Sequence, residues 1–317
     1  MEAYFLASDR PIIKSYELNG RGTLQKKSYP FVSQFTSFKY SISSLKELAF
    51  CIQEFAAQGH CMLKGTLQRP LKHESRAGST SPDSLTDWIC LDFDGVTVFE
   101  TVDDALTAMG LGDTSYILQW SASHRVPNEK PGLNCHVFML LDEPQHPDTL
   151  KRWLKHLNLE HFSEQFQLTK SGNALLWPLD ITTCQNDKLL YIAPPAFNGI
   201  EDPIGGDRIS IIERQYERAE LSAHLPHVPP PNIVHEQEHK ALNTARKKAG
   251  LKPRRTYKFK AEDEFTYLPR PDAAQVTGIK SERGFVYLNL NGGDSWGYYH
   301  PVDNPTYIHN FKGEPVY

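Results

Sequence analysis

The 317-residue sequence has few cysteines and lacks any long apolar run. Its five cysteines are scattered, odd in number and without a C-x-x-C pair, which excludes a disulfide framework and a zinc ribbon. No stretch approaches eighteen apolar residues, and the chain does not open with a basic flank followed by an apolar stretch. We therefore expect neither membrane insertion nor secretion, and a reducing cytoplasm fits best.

Acidic residues are absent from one segment of an otherwise acidic chain. The net charge is −4, which by itself argues against a uniformly basic nucleic-acid-binding surface. However, residues 239–260 carry nine Lys or Arg and no acid, so all 38 Asp and Glu lie elsewhere. The sequence thus predicts an acidic body with one concentrated basic segment, and this segment is compatible with a nucleic-acid partner.

The composition and length are those of a globular chain with about two domains. Hydrophobic residues make up 39% and charged residues 23%. Four prolines within Leu225–Pro231 favour an extended connection, and we place the main boundary there. We expect a catalytic domain over 1–225, a Pro-rich and then basic linker or helix over 226–260, and a small accessory module over 261–317. The last residues suggest that the chain is a piece of a longer protein.

Strand-like and helix-like segments alternate along the first domain, which predicts an α/β or α+β core. Apolar residues at helical spacing predict a helix from Ser43 or Ser44 to about Gln58, with a capping box at its start. The apolar run Asn134–Leu141 follows a Pro-Gly turn and could pair with Tyr116–Trp120 as a hairpin.

Two carboxylates end a strand that reads as buried. In Trp88-Ile-Cys-Leu-Asp92-Phe-Asp94-Gly95, the acids stand at i and i+2, so both point to the same face. Two like charges this close repel each other unless a cation intervenes, and oxygen ligands suit Mg²⁺ or Mn²⁺. A bare D-x-D pair can also be a turn cap with a solvated neighbour, but the apolar strand before it favours a site.

Two further elements can complete this site. His136 opens an apolar strand, where it can contact a phosphate oxygen, although a strand-end histidine often has only a structural role and His124 competes with it. Asp180 ends the apolar segment that begins at Ala174, and a third carboxylate is what a two-metal site needs.

The ordered set of Asp92 and Asp94, a Ser-containing strand leading to His136, and Asp180 resembles the archaeo-eukaryotic primase superfamily, especially the primase-polymerases of phages and plasmids. The resemblance covers roughly residues 40–215. It implies an α+β fold with a split sheet like that of an RNA-recognition motif, an N-terminal αβ unit and a smaller C-terminal module.

The resemblance also implies the chemistry, namely template-directed nucleotidyl transfer by a DNA primase or polymerase with two Mg²⁺ or Mn²⁺ ions and no zinc. Asp92, Asp94 and Asp180 would be metal ligands and His136 the contact to the nucleotide phosphates, with Ser121 and Ser123 as weaker candidates. The implied partners are a single-stranded DNA template, dNTP or NTP, and a fused or separate replicative helicase. The location would be the cytoplasm, or the host cytoplasm for a phage or plasmid protein.

Basic residues supply the other candidates. Lys72 and Arg76 lie in a polar loop upstream of the acids that could fold over a triphosphate, and we prefer Arg76 as a phosphate contact. The candidates for nucleic-acid binding are Arg246, Lys247, Lys248, Lys252, Arg254 and Arg255. Both sets can equally be a solvated loop and a basic linker.

Two other functions stay open. The segment Asp92-Phe-Asp94-Gly95-Val96 also resembles the first motif of the haloacid dehalogenase superfamily, in which Asp92 would be a nucleophile, Asp94 an acid/base and Ser121 part of a second motif. No strand with paired acids and a preceding lysine is evident downstream. The third alternative is a non-catalytic DNA-binding module of replication whose activity lies in its basic segment.

Overall fold

A computed structural model describes residues 1–254 and the strand positions 280–282, 285–288, 297–299 and 309–310. The chain divides into two compact units, Met1–Arg254 and Arg255–Tyr317. Helices and antiparallel sheets are mixed throughout the first unit, which confirms the α+β class. The finer likeness to a split RNA-recognition-motif sheet stays a prediction.

The helices of the first unit are α1 (Leu45–Ala57), α2 (Val102–Ala108), α3 (Pro147–His161), α4 (Leu221–His224) and α5 (Pro231–Lys248). Its strands are β1 (Glu2–Ala7), β2 (Ser15–Leu18), β3 (Leu24–Lys27), β4 (Thr36–Ser41), β5 (Cys61–Leu63), β6 (Thr86–Val96), β7 (Tyr116–Trp120), β8 (Leu133–Gln145), β9 (Gln167–Leu168), β10 (Leu175–Leu176), β11 (Leu189–Leu190), β12 (Ala196–Asn198), β13 (Ile209–Ile212) and β14 (Arg218–Ala219). Short 3-10 helices cover Ser163–Gln165, Ile181–Cys184 and Leu225–His227.

A five-stranded sheet forms the centre of this unit. The long apolar strand β8 pairs antiparallel with β6 on one side and with β7 on the other, and β7 in turn pairs with β13. The hairpin predicted between Tyr116–Trp120 and Asn134–Leu141 is therefore confirmed. Strand β14 extends the β7 side by a short parallel pairing with β8.

The two faces of the central sheet bury separate cores. Ile89, Leu91 and Phe93 of β6 pack with α2 and α3 on one face. Trp88 and Cys90 pack on the other face with α1 and with the sheet of order β11-β5-β1-β4. Because side chains alternate along a strand, Asp92 and Asp94 continue the second face beyond its apolar part.

Strand β6 is longer than its sequence predicts. The acids were expected to end it, but it continues to Val96, which pairs with Leu133 across a register shift after Asp94. Gly95 lies at this irregularity with φ +75°, a backbone conformation that glycine adopts without strain.

Helix α1 begins where the capping pattern predicts. The Ser44 side chain accepts a hydrogen bond from the Glu47 backbone amide, and the Glu47 carboxylate accepts one from the Ser43 amide. Its buried face consists of the apolar residues that the helical spacing selects.

The predicted boundary after Leu225 differs from the structure, in which the first unit extends to Arg254. The prolines do not separate two bodies, because Pro231 occupies the first turn of α5, where its missing N–H costs nothing. Leu242 and Ala245 of α5 are buried with Leu175. Helix α5 is thus part of the domain that carries the acids.

The second unit is described only at its strands. Strands β15 (Lys280–Glu282), β16 (Phe285–Leu288), β17 (Gly297–Tyr299) and β18 (His309–Asn310) form an antiparallel sheet in that order. The rest of the expected accessory module, like Arg255, lies outside the described residues. Among the helices that the structure describes, none is long and apolar enough to cross a membrane.

Candidate active site

The three candidate carboxylates come together from two distant segments of the chain. Strand β6 places Asp92 and Asp94 on one face, and the segment Pro178–Asp180 runs antiparallel beside it. The Asp94 amide donates to the Pro178 carbonyl and the Asp180 amide to the Asp92 carbonyl, each at 2.9 Å. These backbone bonds fix Asp180 next to Asp92.

Strand pairing also brings His136 to the acids. In the β6–β8 register His136 lies opposite Asp92, and its Nε2 is 3.7 Å from Asp92 Oδ1. Gln119 donates its Nε2 to the Ile192 carbonyl, which leaves Gln119 Oε1 to accept from His136 Nδ1 at 3.0 Å. The neutral ring therefore carries its proton on Nδ1 and directs the Nε2 lone pair toward Asp92.

Two lysines neutralise two of the acids. Lys130 Nζ lies 2.6 Å from Asp94 Oδ2, and Lys188 Nζ lies 2.9 Å from Asp180 Oδ2. Burial opposes ionisation of Asp180, but hydrogen bonds from Lys188 and the Thr182 backbone amide hold its pKa below the usual range.

Among the residues that the structure describes, no lysine or arginine pairs with Asp92 in this way. Burial, together with the negative charges of Asp180 and Asp94, raises the pKa of Asp92 to about 8. Burial, assisted by the positive charge of Lys188, lowers the pKa of His136 to about 4. At neutral pH the centre of the site thus holds a neutral histidine and an Asp92 side chain that is largely protonated.

The three acids and His136 line an open pocket of about 380 Å³. The other polar side chains in its wall are Lys14, Tyr29, Ser121, Ser123, Asn134 and Tyr191. Ser121 and Ser123, both predicted from the sequence, lie with their Oγ atoms 3.1 Å apart. Burial and the charge of Asp92 raise the pKa of Tyr29, which faces the acids.

The donor set fits a hard divalent cation in its chemistry. Three carboxylates offer oxygen ligands, and a bound cation would relieve the repulsion that raises the pKa of Asp92. Within the described part of the chain, however, no group of three or more His, Cys, Asp or Glu side chains is arranged to hold a metal ion. The lysines that pair with Asp94 and Asp180 occupy carboxylate oxygens that a metal would need.

The predicted phosphate contacts from the upstream loop do not reach this pocket. Arg76 donates to the Asp187 carbonyl at 2.7 Å, and Lys72 is exposed beside Glu74. Neither side chain lines the pocket. His124, the competing histidine, stacks on Trp120 with ring centroids 4.0 Å apart.

The basic residues predicted to bind nucleic acid divide into two groups. Arg246 donates to the Gly172 carbonyl, and Arg254 donates to the Asn173 carbonyl at 2.9 Å, so both hold the β9–β10 hairpin. In contrast, Lys247, Lys248 and Lys252 are exposed. This hairpin leads through Leu175–Trp177, which line the pocket, to Asp180.

Several site residues were missed by sequence reasoning, above all Asn158. This fully buried asparagine of α3 donates Nδ2 to the Leu179 carbonyl at 2.8 Å and accepts from the Leu179 amide at 3.0 Å. It therefore fixes the residue before Asp180 as a neighbouring strand would. A polar residue on the apolar face of α3 was the available signal; for Lys130, Lys188 and Tyr29 the sequence offered none.

We expect Asn158→Leu to lower the melting temperature and to weaken binding of Mn²⁺, one of the two metals that the sequence favours. The substitution leaves a buried amide and a buried carbonyl unpaired, at a cost of about 1–3 kcal/mol each. Leu157→Ala is the control, since it opens a cavity of comparable cost one residue away. Thermal unfolding with and without Mn²⁺ should show a smaller metal-induced increment only in the Asn158 variant. Equal increments would contradict a positioning role.

Comparisons with known proteins add little to this geometry. No protein-family model and no curated protein matches the sequence. Among solved structures, the chain is similar to the AEP domain (PP-N190) of the primase-polymerase (PrimPol) of cyanophage S-2L. The identity is 13%, the match covers 72% of this chain and 89% of that chain, and the TM-score is 0.32. A likeness at this level establishes neither a family nor an activity, so the functional argument depends on the site.

Proposed function

We propose that this protein catalyses template-directed nucleotidyl transfer, as a DNA primase, a DNA polymerase or both. One observation carries the proposal: Asp92 and Asp94, Asp180 and His136 come from three separate segments and line one open pocket. Three carboxylates placed this close together repel one another and cost stability, so the cluster indicates a functional site, and nucleotidyl transfer requires carboxylates that hold divalent metals.

Asp92, Asp94 and Asp180 would hold Mg²⁺ or Mn²⁺. Such ions lower the pKa of an attacking 3′-hydroxyl and stabilise a pyrophosphate leaving group. The protein contributes the position of these ligands, through the paired backbones of β6 and Pro178–Asp180. No side-chain nucleophile is needed for this reaction.

His136 would contact the nucleotide phosphates in its protonated form. Its Nδ1–H is already bound to Gln119, so Nε2 can donate to a phosphate oxygen only after it takes up a proton. Burial disfavours that proton in the free protein. An anionic triphosphate in the pocket would favour it, which couples the charge of His136 to nucleotide binding.

Lys130 and Lys188 would serve the same ligand. Their ammonium groups balance Asp94 and Asp180 in the free protein. Once cations occupy those carboxylates, both lysines are available to the negative charge of a triphosphate. This assigns to them the role that the sequence suggested for Lys72 and Arg76.

Single-stranded DNA is the proposed template, and the exposed lysines at the end of α5 are its proposed contacts. Helix α5 packs on α3 and on the hairpin that leads to Asp180, so these lysines belong to the same unit as the pocket. A replicative helicase, fused or separate, remains a proposed partner.

The test is nucleotide incorporation by the full chain. We expect labelled dNTP or NTP to be incorporated on single-stranded templates, with or without a primer, in the presence of Mg²⁺ or Mn²⁺. Chelation should abolish it. If neither metal supported incorporation with either nucleotide class, the proposal would be wrong.

The same preparation separates the two alternatives. Phosphatase chemistry predicts hydrolysis of p-nitrophenyl phosphate that Asp92→Asn abolishes, in a protein that makes no polynucleotide. A non-catalytic DNA-binding module predicts that Asp94→Ala leaves every measured function intact while DNA binding persists.

A further inference from the structure

Two tyrosines stack against each other in the wall of the pocket that Asp92, Asp94, Asp180 and His136 line. Tyr29, which follows β3, and Tyr191, which follows β11, have ring centroids 4.3 Å apart and ring planes within 13° of parallel. Both line the pocket together with Asp92, Asp180 and His136. Neither residue has a role in the metal or phosphate chemistry described above.

Tyr29 is held by packing within the protein, whereas Tyr191 is exposed. Tyr29 packs against the apolar cluster beneath β1 and β5, which includes Leu6, Phe35 and Leu63. Tyr191 lies over Tyr29 and remains 40% exposed, a large fraction for a ring inside a pocket. Packing within the protein therefore holds Tyr29 in place and leaves surface on Tyr191 that a ligand could cover.

Charge around the pair suits a nucleotide. Lys14, which precedes β2 and lines the pocket, has its Nζ 5.2 Å from the centroid of the Tyr29 ring, so a cation lies over this member of the pair. A flat aromatic surface binds a nucleobase by stacking, whatever its identity, because every base has a π-face. A template-directed enzyme needs such tolerance, since the template must choose the base.

We propose that Tyr191, supported by Tyr29, is the platform on which the base of the incoming nucleoside triphosphate stacks. This inference rests on the proposed nucleotidyl transfer and adds a subsite to it. The acids and lysines would hold the triphosphate at one part of the pocket, and the tyrosine pair would hold the base at another. The platform should bind purines more tightly than pyrimidines, because purines offer more area for stacking.

Binding of two probes by the full chain in Mn²⁺ tests the platform. We expect Tyr191→Ala to weaken binding of dATP about tenfold and to leave binding of inorganic tripolyphosphate, which has no base, nearly unchanged. Tyr191→Phe should restore dATP binding, because stacking needs the ring and not the hydroxyl. The matched control is Tyr216→Ala, which removes a tyrosine of similar exposure (42%) away from the pocket and should change neither affinity.

The outcomes separate this inference from the function on which it rests. If the wild-type protein bound both probes and Tyr191→Ala weakened neither, or weakened both equally, the platform would be overturned while nucleotidyl transfer stood. If the wild-type protein bound neither probe and incorporated neither dNTP nor NTP, nucleotidyl transfer itself would be overturned, and the platform with it. Thermal unfolding of each variant confirms that the protein compared is folded.

Discussion

Asp92→Asn should abolish nucleotide incorporation and at the same time raise the melting temperature. Removing one metal ligand costs several kcal/mol of transition-state stabilisation, or roughly a thousandfold in rate. The stability gain has a separate origin. Asp92 is half-buried beside two other carboxylates, no cation of the described residues pairs with it, and the Nε2 lone pair of His136 faces it. An uncharged side chain of the same shape removes both repulsions.

The increase in melting temperature caused by Asp92→Asn should depend on pH. The pKa of Asp92 is about 8 in the folded protein, above the value of 3.8 for an unperturbed aspartate. Folding therefore favours the protonated form, and the stability contributed by Asp92 is present at low pH and is lost as the pH rises from about 4 to 8. Asparagine does not ionise, so the Asp92→Asn variant does not lose this stability. The melting temperatures of the wild type and the variant should therefore be close at pH 5 and furthest apart above pH 8.

We expect a difference of about 2 kcal/mol above pH 8, or roughly 4–8 °C in Tm for a domain of this size. It falls short of the full shift because 25% of the Asp92 side chain is exposed. The control is Asp113→Asn, at an exposed position away from the pocket, which should alter neither activity nor Tm. A variant that lost both activity and stability would show that the ionised carboxylate stabilises the fold. In that case Asp92 would not be strained by its neighbours.

The acids themselves could be predicted from sequence because their signal is local. An i, i+2 pair on an apolar strand defines a face by itself, and the capping pattern of α1 and the hairpin of β7 and β8 are likewise short-range. The site roles predicted for Asp92, Asp94, Asp180 and His136 all stay predictions, although the structure brings Asp180 and His136 next to Asp92.

The partners of the acids could not be predicted, because tertiary contacts alone select them. Lys130 and Lys188 pair with acids through loops whose path the sequence does not specify, and Tyr29 reaches the pocket from a different sheet. Proximity in sequence favoured Lys72 and Arg76 instead. The loop that carries them packs elsewhere, with Arg76 bound to the Asp187 carbonyl.

The sequence and the structure divide the chain at different positions for a related reason. A cluster of prolines was interpreted as an extended connection, but a proline is also well suited to the first turn of a helix, as Pro231 is in α5. The weak apolar pattern of α5 reflects its small buried face, which consists of Val234, Leu242 and Ala245. The packing of Leu242 and Ala245 against the β9–β10 hairpin, together with the ion pair of Glu238 with Lys155 of α3, shows that α5 belongs to the first unit.

Because α5 belongs to the unit that carries the acids, the exposed lysines at and just after its end should affect DNA binding strongly. The triple variant Lys247→Ala/Lys248→Ala/Lys252→Ala should bind single-stranded DNA more weakly and with a flatter salt dependence. Each phosphate contact contributes about 0.7 to the slope of log K against log salt for single strands, so the loss of three contacts should reduce it by about 2. Binding isotherms at several salt concentrations measure the slope, and the weakening should be uniform across template sequences.

A control variant separates the position of the three lysines from their contribution to the net charge. The variant Arg10→Ala/Arg21→Ala/Lys46→Ala removes three exposed cations at other positions and should leave the slope nearly unchanged. An equal reduction of the salt slope in both variants would show that the three lysines act only through the net charge of the protein. An unchanged slope in the α5 variant would make the segment a linker without a template role.

Arg246 and Arg254 should behave differently from these lysines. Their guanidinium groups donate to the Gly172 and Asn173 carbonyls and so hold the hairpin that leads to Leu176, Trp177 and Asp180. Arg246→Ala should therefore lower Tm by a few degrees and reduce incorporation more than DNA binding. If so, one basic segment has two tasks: exposed lysines that attract the template, and arginines that support the wall of the site where the template would be copied.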